Sequence, residues 1–190
     1  MTHVLSEPAE VATRLLFQTV GGHKATMLTI PGRAPDSRFP QSQVDLEQIQ
    51  RQATLLRLVS ITESYCAEQL LSRAELALPS DDNALYTLIW DAAALDATRT
   101  WVALKDAFKR WFGANPDWTK LDGLAEARNA IAHGLGSLTR QQQGKRQSTM
   151  TKLNRTGILV DNNALILTDG DLTRAAVVCR SVIAEVDALP

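Results

Sequence analysis

From Asp45 to Leu78 the chain contains neither Gly nor Pro, and Leu46, Ile49, Leu56, Val59, Tyr65 and Leu70 recur along it at helical spacings. That period predicts one long amphipathic helix, so the fold is expected to be built by packing other helices along it. Ser6-Glu7-Pro8 reads as the start of an earlier helix, with Gly21-Gly22 as its end. The short apolar run from Ala25 to Ile30 is expected as a strand, and residues 31–43, with Pro31, Gly32, Pro35 and Pro40, as a loop or arm. After Pro79, Ser80-Asp81-Asp82-Asn83 can cap a third helix carrying Leu85, Leu88, Ile89 and Ala92. Thr98 or Thr100 can cap a fourth through Trp101, Leu104, Phe108 and Trp111 to Gly113. Asn115-Pro116-Asp117 is a turn, and Asp117 a candidate cap for a helix over 118–135. Residues 137–156 are polar, basic and rich in Gln, and read as a loop. Ile158-Leu159-Val160, the turn Asp161-Asn162-Asn163 and Leu165-Ile166-Leu167 predict a small β-hairpin. Asp169 or Asp171 then starts a final helix through Val186. The expected class is all-α: a helical bundle with a small hairpin before its C-terminal helix.

At 190 residues the chain suits one domain with a real core. Its 45% hydrophobic and 22% charged residues are globular composition. No apolar run approaches the roughly 20 residues that span a bilayer, and the polar start from Met1 to Glu10 fits neither a secretory signal nor a transit peptide. Cys66 and Cys179 lie far apart in apolar patterns, as buried thiols of a cytoplasmic protein would. The net charge of −1 hides an asymmetry. Residues 41–100 hold nine acids against four arginines, and residues 101–160 hold ten Lys and Arg against four acids. A basic half of this kind points to an anionic partner on one face.

The basic half contains Arg128-Asn129-Ala130-Ile131-Ala132-His133, closed by Gly134. Residues 127–160 carry no acid but hold Arg128, Arg140, Lys145, Arg146, Lys152 and Arg155. On a helix, Leu121, Leu124, Ile131 and Leu135 form a core stripe, and Arg128 falls inside it. A guanidinium there needs partners or a water-filled cleft. Asn129 and His133, four apart, share a flank, whereas Arg128 and His133 lie roughly 140° apart around an ideal helix. The two converge on one target only if the helix ends near His133 or if a second copy supplies the complement. Gly134 and Gly136 favour an end there. Imidazole titrates near neutral pH, which suits His133 to take and return a proton. Arg128 can donate paired hydrogen bonds to phosphate oxygens and stabilise a pentacoordinate transition state, and Asn129 can orient either group. His3, His23 and His133 show no metal-ligand spacing, so neither a metal nor another cofactor is expected. Trp90, Trp101, Trp111 and Trp118 sit at helical spacings and read as core.

With this motif the chain resembles the HEPN superfamily of helical ribonucleases, whose signature is Arg, a polar residue (often Asn), a few more residues, then His. The hairpin followed by a terminal helix is most similar to the RiboL-PSP-HEPN branch. The resemblance covers residues 43–190, leaving residues 1–42 as an N-terminal helix and arm of unassigned role. It implies a metal-independent endoribonuclease in which the ribose 2′-hydroxyl attacks the adjacent phosphate, leaving a 2′,3′-cyclic phosphate and a 5′-hydroxyl. Arg128, Asn129 and His133 would be catalytic, with Glu63 on the long helix as a supporting acid paired to Arg128. Arg140, Lys145, Arg146, Lys152 and Arg155 would draw in the RNA backbone. The resemblance also implies a homodimer with motifs facing across the interface. Its settings are phage defence, toxin–antitoxin pairs or RNA processing, where an antitoxin or regulatory protein is a further partner. Two rival readings are a non-catalytic HEPN module that binds RNA or protein, and a structural helical adaptor. A third, silencing by modification of a tyrosine, has only Tyr65 and Tyr86 to work with, both distant from the motif in sequence.

Overall fold

A computed structural model describes residues 4–30, 45–78 and 84–189. Eight helices and one two-stranded hairpin make up the described chain, an all-α bundle as the periodicity predicts. Helix α1 spans Glu7–Met27 and α2 Leu46–Ala77. Then follow α3 (Ala84–Thr98), α4 (Trp101–Phe112) and α5 (Thr119–Gly134). Short helices α6 (Arg140–Gly144) and α7 (Arg146–Asn154) precede strands β1 (Leu159–Asp161) and β2 (Ala164–Ile166), and α8 covers Asp169–Asp187. No described helix is long and apolar enough to cross a membrane.

Helix α2 is the spine, and α1, α8, α5 and α4 all pack on it. Leu55, Leu58, Val59, Cys66 and Leu70 of α2 meet Leu16 of α1, Leu121 and Leu124 of α5, Phe108 of α4, and Leu172, Ala176 and Ile183 of α8 in one buried cluster. Asp45 starts α2 by accepting a hydrogen bond from the Gln48 amide at 2.9 Å. Cys66 and Cys179 are fully buried free thiols. Burial, with Glu63 nearby, pushes the Cys179 thiol up to about 12. Helix α1 shares this core, and its start is tied to the end of α8. Asp187 accepts from the Ser6 amide (2.8 Å), the Ser6 hydroxyl (2.5 Å) and the Tyr65 hydroxyl (3.0 Å).

Several local expectations are corrected. Gly21-Gly22 does not end α1, which continues to Met27, and Ala25 to Ile30 is helix and turn rather than strand. The reason is tertiary. One residue on, buried His23 sits between the Thr54 hydroxyl (3.1 Å) and the Asp169 carboxylate (3.3 Å), which holds the extra turn against α2. The expected loop at 31–43 and the expected cap at 80–83 lie outside the described residues. Thr100 rather than Thr98 caps α4. At the start of α8, Thr168 is the cap, in a reciprocal capping box with Asp171. The expected loop at 137–156 is instead α6 and α7. Thr139 and Gln142 form a second capping box there, and the side chains that seat these helices include the polar Gln142 and Thr149, so no apolar period marks them.

The hairpin forms as predicted, with Leu159 opposite Ile166 and a two-residue turn at Asn162-Asn163, both at positive φ. It docks behind the motif helix. The Leu165 amide donates to the Gly136 carbonyl and the Leu138 amide to the Asn163 carbonyl, each at 2.8 Å. The chain leaving α5 is thereby fixed.

Candidate functional site

Helix α5 begins at Trp118, which makes no side-chain cap. Asp117 acts one residue earlier than a cap would, accepting from the Thr119 amide at 3.0 Å. Leu121, Leu124 and Ile131 are buried as the core stripe requires, but Leu135 is 94% exposed. The helix has ended by then: Leu135 takes the left-handed conformation (φ 52°), followed by Gly136 at φ 88°. The Gly136 amide donates back to the Ala130 carbonyl at 3.2 Å, which closes the helix end. Of the two glycines expected at the helix end, Gly134 is still helical, and Gly136 takes the positive φ just past it. At Gly136 the positive φ strains any residue that carries a Cβ, whereas the Gln52 side-chain amide that such a Cβ would meet could swing aside.

Arg128 faces α2. One guanidinium nitrogen donates to the Glu63 carboxylate, and the other donates to the Asn129 side-chain oxygen at 2.8 Å. The Arg128 and Glu63 side chains are only 26% and 21% exposed, so each relies on the other for compensation. The acid expected on the long helix thus sits against the motif arginine.

Asn129 and His133 face the other way, into an open cleft of about 680 Å³ between α5 and the α6–α7 pair. Arg140, Lys145 and Lys152 line the same cleft, with Val102 of α4 at its edge. Two other expected RNA contacts lie elsewhere. Arg146 donates to the Asn163 side chain on the hairpin turn, and Arg155 lines a separate hollow beside α8.

The cleft also holds an acid. Glu126 precedes Asn129 by three residues and His133 by seven, so all three project from one face of α5. Its carboxylate accepts from Lys152 at 2.7 Å and from Gln142 at 2.9 Å. Gln142, itself buried, also donates to the Glu126 carbonyl and accepts from the Thr139 amide. The tract that is free of acids in sequence is therefore not free of them in space. Glu126 lies just outside it, and the three–four spacing from Glu126 through Asn129 to His133 was the signal that could have found it. Lys152 is a held cation, whereas Arg140 and Lys145 stand exposed at the cleft wall. Among the described residues, no three His, Cys, Asp or Glu side chains gather as a metal-ligand set.

The arrangement offers an accessible imidazole, an amide oriented by a fixed guanidinium, and three cations around a space wide enough for a polymer backbone. No protein-family model, curated protein or solved structure matches this chain.

Proposed function

We propose that this chain is a HEPN-like endoribonuclease that cuts RNA without a metal, and that it works as a pair of copies. The observation that carries the reading is Asn129 and His133 on one helix face, opening into a cleft walled by Arg140, Lys145 and Lys152. Arg140 and Lys145, which stand free of the Glu126 pair that holds Lys152, would grip a phosphodiester backbone, with affinity falling as salt rises. In the reaction a 2′-hydroxyl loses its proton to an imidazole as the bond from O2′ to phosphorus forms. The bond from phosphorus to O5′ breaks, and an imidazolium returns a proton to the leaving oxygen. The products are a 2′,3′-cyclic phosphate and a 5′-hydroxyl. His133 is the proton carrier, and a second copy's His133 would supply the other transfer. Arg128 is committed to Glu63 and Asn129, so its part is to position Asn129 rather than to grip phosphate.

Pairing has its own support. Helix α3 packs chiefly on α4 and leaves Leu85, Leu88 and Leu95 at 63–70% exposure. Their spacing of three and seven draws one apolar stripe along the helix. Val102, also 63% exposed, lines the cleft and carries apolar surface from α4 to its edge. A second copy seated there would bring its own motif toward the cleft. The biological settings remain those of the resemblance: phage defence, RNA processing, or a toxin under the control of an antitoxin or other regulatory protein.

The deciding experiment incubates the protein with RNA in excess chelator and analyses the product ends. Cyclic phosphate ends are expected from wild type and absent from His133→Ala. RNA that is bound but left intact by wild type would favour the non-catalytic module instead.

A further inference from the structure

Helix α6 supplies Arg140 to the cleft, with Lys145 at its end, yet it contains no apolar side chain, and Gln142 is its one buried residue. Helix α7 is seated differently, by Leu153 in the core. The place of α6 is therefore set by hydrogen bonds, and these meet at Gln142. Its side-chain amide donates to the Glu126 carbonyl and to the Glu126 carboxylate, each at 2.9 Å. Its side-chain oxygen accepts from the Thr139 amide (3.0 Å) and the Thr139 hydroxyl (3.2 Å). Among the described residues, the two bonds to Glu126 are the hydrogen bonds that join α6 to α5. The other Glu126 oxygen accepts from Lys152 of α7 at 2.7 Å. The Gln142 residue is 7% exposed and the Glu126 side chain 19%, so water does not readily replace either partner. Such bonds fix direction as well as distance. One carboxylate thus places the cations of two elements against the helix face that carries His133, Lys152 directly and Arg140 and Lys145 through Gln142.

We infer that Glu126 is a positioning residue, which acts through Gln142 to hold Arg140 and Lys145 in fixed relation to His133, so that a bound phosphate lies within reach of the imidazole. The inference rests on the proposed ribonuclease reading. Its consequence differs from that of losing grip. With the tie broken, Arg140 and Lys145 keep their charge and still attract RNA, but the phosphate is no longer presented in one pose. The loss then falls on kcat, because a misplacement of about 1 Å can cost about 10²-fold in rate. Removing a gripping cation raises KM instead.

The test uses the full chain and three variants. In Gln142→Glu, Thr139 can still donate to the new carboxylate as in an ordinary capping box, but that carboxylate then faces Glu126. The charged groups on this side are Glu126 of α5 and, beyond it, Lys152 of α7. Two carboxylates in one site raise one of their pKa values strongly, so the tie breaks near about pH 8 and re-forms through a shared proton toward about pH 5. RNA cleavage is measured across that range, and each rate is divided by that of wild type at the same pH, which removes the titration of His133. For Gln142→Glu the kcat ratio should be about 30–100-fold down at the upper end and within about threefold of wild type at the lower, with KM within about threefold throughout. Glu126→Ala should lose kcat at every pH. Glu126→Gln, whose amide oxygen can still accept from Gln142, should regain most of that loss. A ratio for Gln142→Glu that is flat with pH, equal losses in Glu126→Ala and Glu126→Gln, or a rise in KM at unchanged kcat overturns the role. If a far-UV spectrum shows Gln142→Glu unfolded, the two Glu126 variants decide. Wild type that cleaves no RNA sinks the ribonuclease reading alone. The backbone amide shifts of residues 140–145, displaced in Gln142→Glu at high pH and restored at low pH, would still show that the pair places α6, and shifts that ignore pH would show that it does not.

Discussion

Arg128 and His133 are five residues apart on one helix and occupy opposite environments. Arg128 is turned toward α2, three-quarters buried, and closed off by Glu63. His133 is exposed in a broad cleft that Arg140, Lys145 and Lys152 also line. The difference follows from chemistry. A guanidinium keeps its charge at any physiological pH, so it is tolerated in a partly buried place only beside a carboxylate. An imidazole that exchanges protons with a substrate must be where the substrate can reach it. On the proposed reading the motif combines an anchor and an operator, with Asn129 between them: it accepts from Arg128 and lines the cleft with His133.

The sharpest way to break this comparison is to remove the operator. His133→Ala should lower the rate of RNA cleavage by about 10²–10⁴-fold, the usual share of a general acid or base. Stability should move by no more than about 0.5 kcal/mol, because the side chain is exposed. Cleavage kinetics and urea denaturation of the same preparation read both quantities. Removing the anchor should do the reverse. Arg128→Ala and Glu63→Ala each strand a partly buried charge, and should cost about 2–3 kcal/mol, below the roughly 3–5 for fully buried pairs because these side chains keep some solvent contact. For a chain of this length that is a fall in Tm of about 4–12 °C. The double variant should lose less than the sum of the two. An additive result would mean that the pair contributes nothing of its own. If Arg128→Ala raises KM strongly at unchanged stability, Arg128 grips substrate and the anchor reading fails.

How much of this was legible beforehand depended on whether the deciding contact was local. Helix α2 follows from its uninterrupted period, and the hairpin from Asn162-Asn163, because a chain free of breakers and a turn that needs positive φ both act over a few residues. The part-buried pairing of Glu63 with Arg128 was legible only through the resemblance, which implies a supporting acid on the long helix. The end of α1 was not legible: two glycines signal a stop locally, but His23 finds Thr54 and Asp169, which lie far along the chain. Helices α6 and α7 were hidden for another reason. Their seating uses Gln142, whose amide bonds to Glu126, and polar burial leaves no hydrophobic period to read. Of the five expected RNA contacts, the structure gathers Arg140, Lys145 and Lys152 at the cleft and sends Arg146 and Arg155 elsewhere, a separation that charge along the sequence does not encode.

A smaller effect tests whether the cleft depends on packing behind it. Gly123 on α5 lies directly under α7, and an added Cβ would collide with the Lys152 carbonyl and the Thr156 methyl. Backbone cannot yield as a side-chain tip does, so Gly123→Ala should cost about 1–3 kcal/mol by overpacking. It should also push α7 outward and draw Lys152 away from Glu126, weakening RNA binding at low salt. Urea denaturation beside RNA titration measures the two together. Full RNA affinity despite the stability loss would show that the position of Lys152 does not matter to the cleft.

The smallest expected effect lies at the boundary between anchor and operator. Leu135 was expected in the core stripe, but the helix ends first and leaves it 94% exposed in the left-handed conformation, two residues from His133. For a side chain with a Cβ that conformation costs about 1–2 kcal/mol. Glycine there would remove the strain, while its freer unfolded chain takes back about 0.4–1 kcal/mol. Leu135→Gly should therefore stabilise the fold by roughly 0.5–1 kcal/mol, read by urea denaturation. Among the described residues nothing packs over this exposed leucine to repay the strain, and on the proposed pairing a second copy would cover it. The variant should thus be more stable as a monomer and weaker as a pair, with cleavage falling most at low protein concentration. Sedimentation and cleavage across a dilution series separate the outcomes. Greater stability with unchanged pairing and activity would remove Leu135 from the interface and leave α3 and Val102 as the surface on which pairing has to be sought.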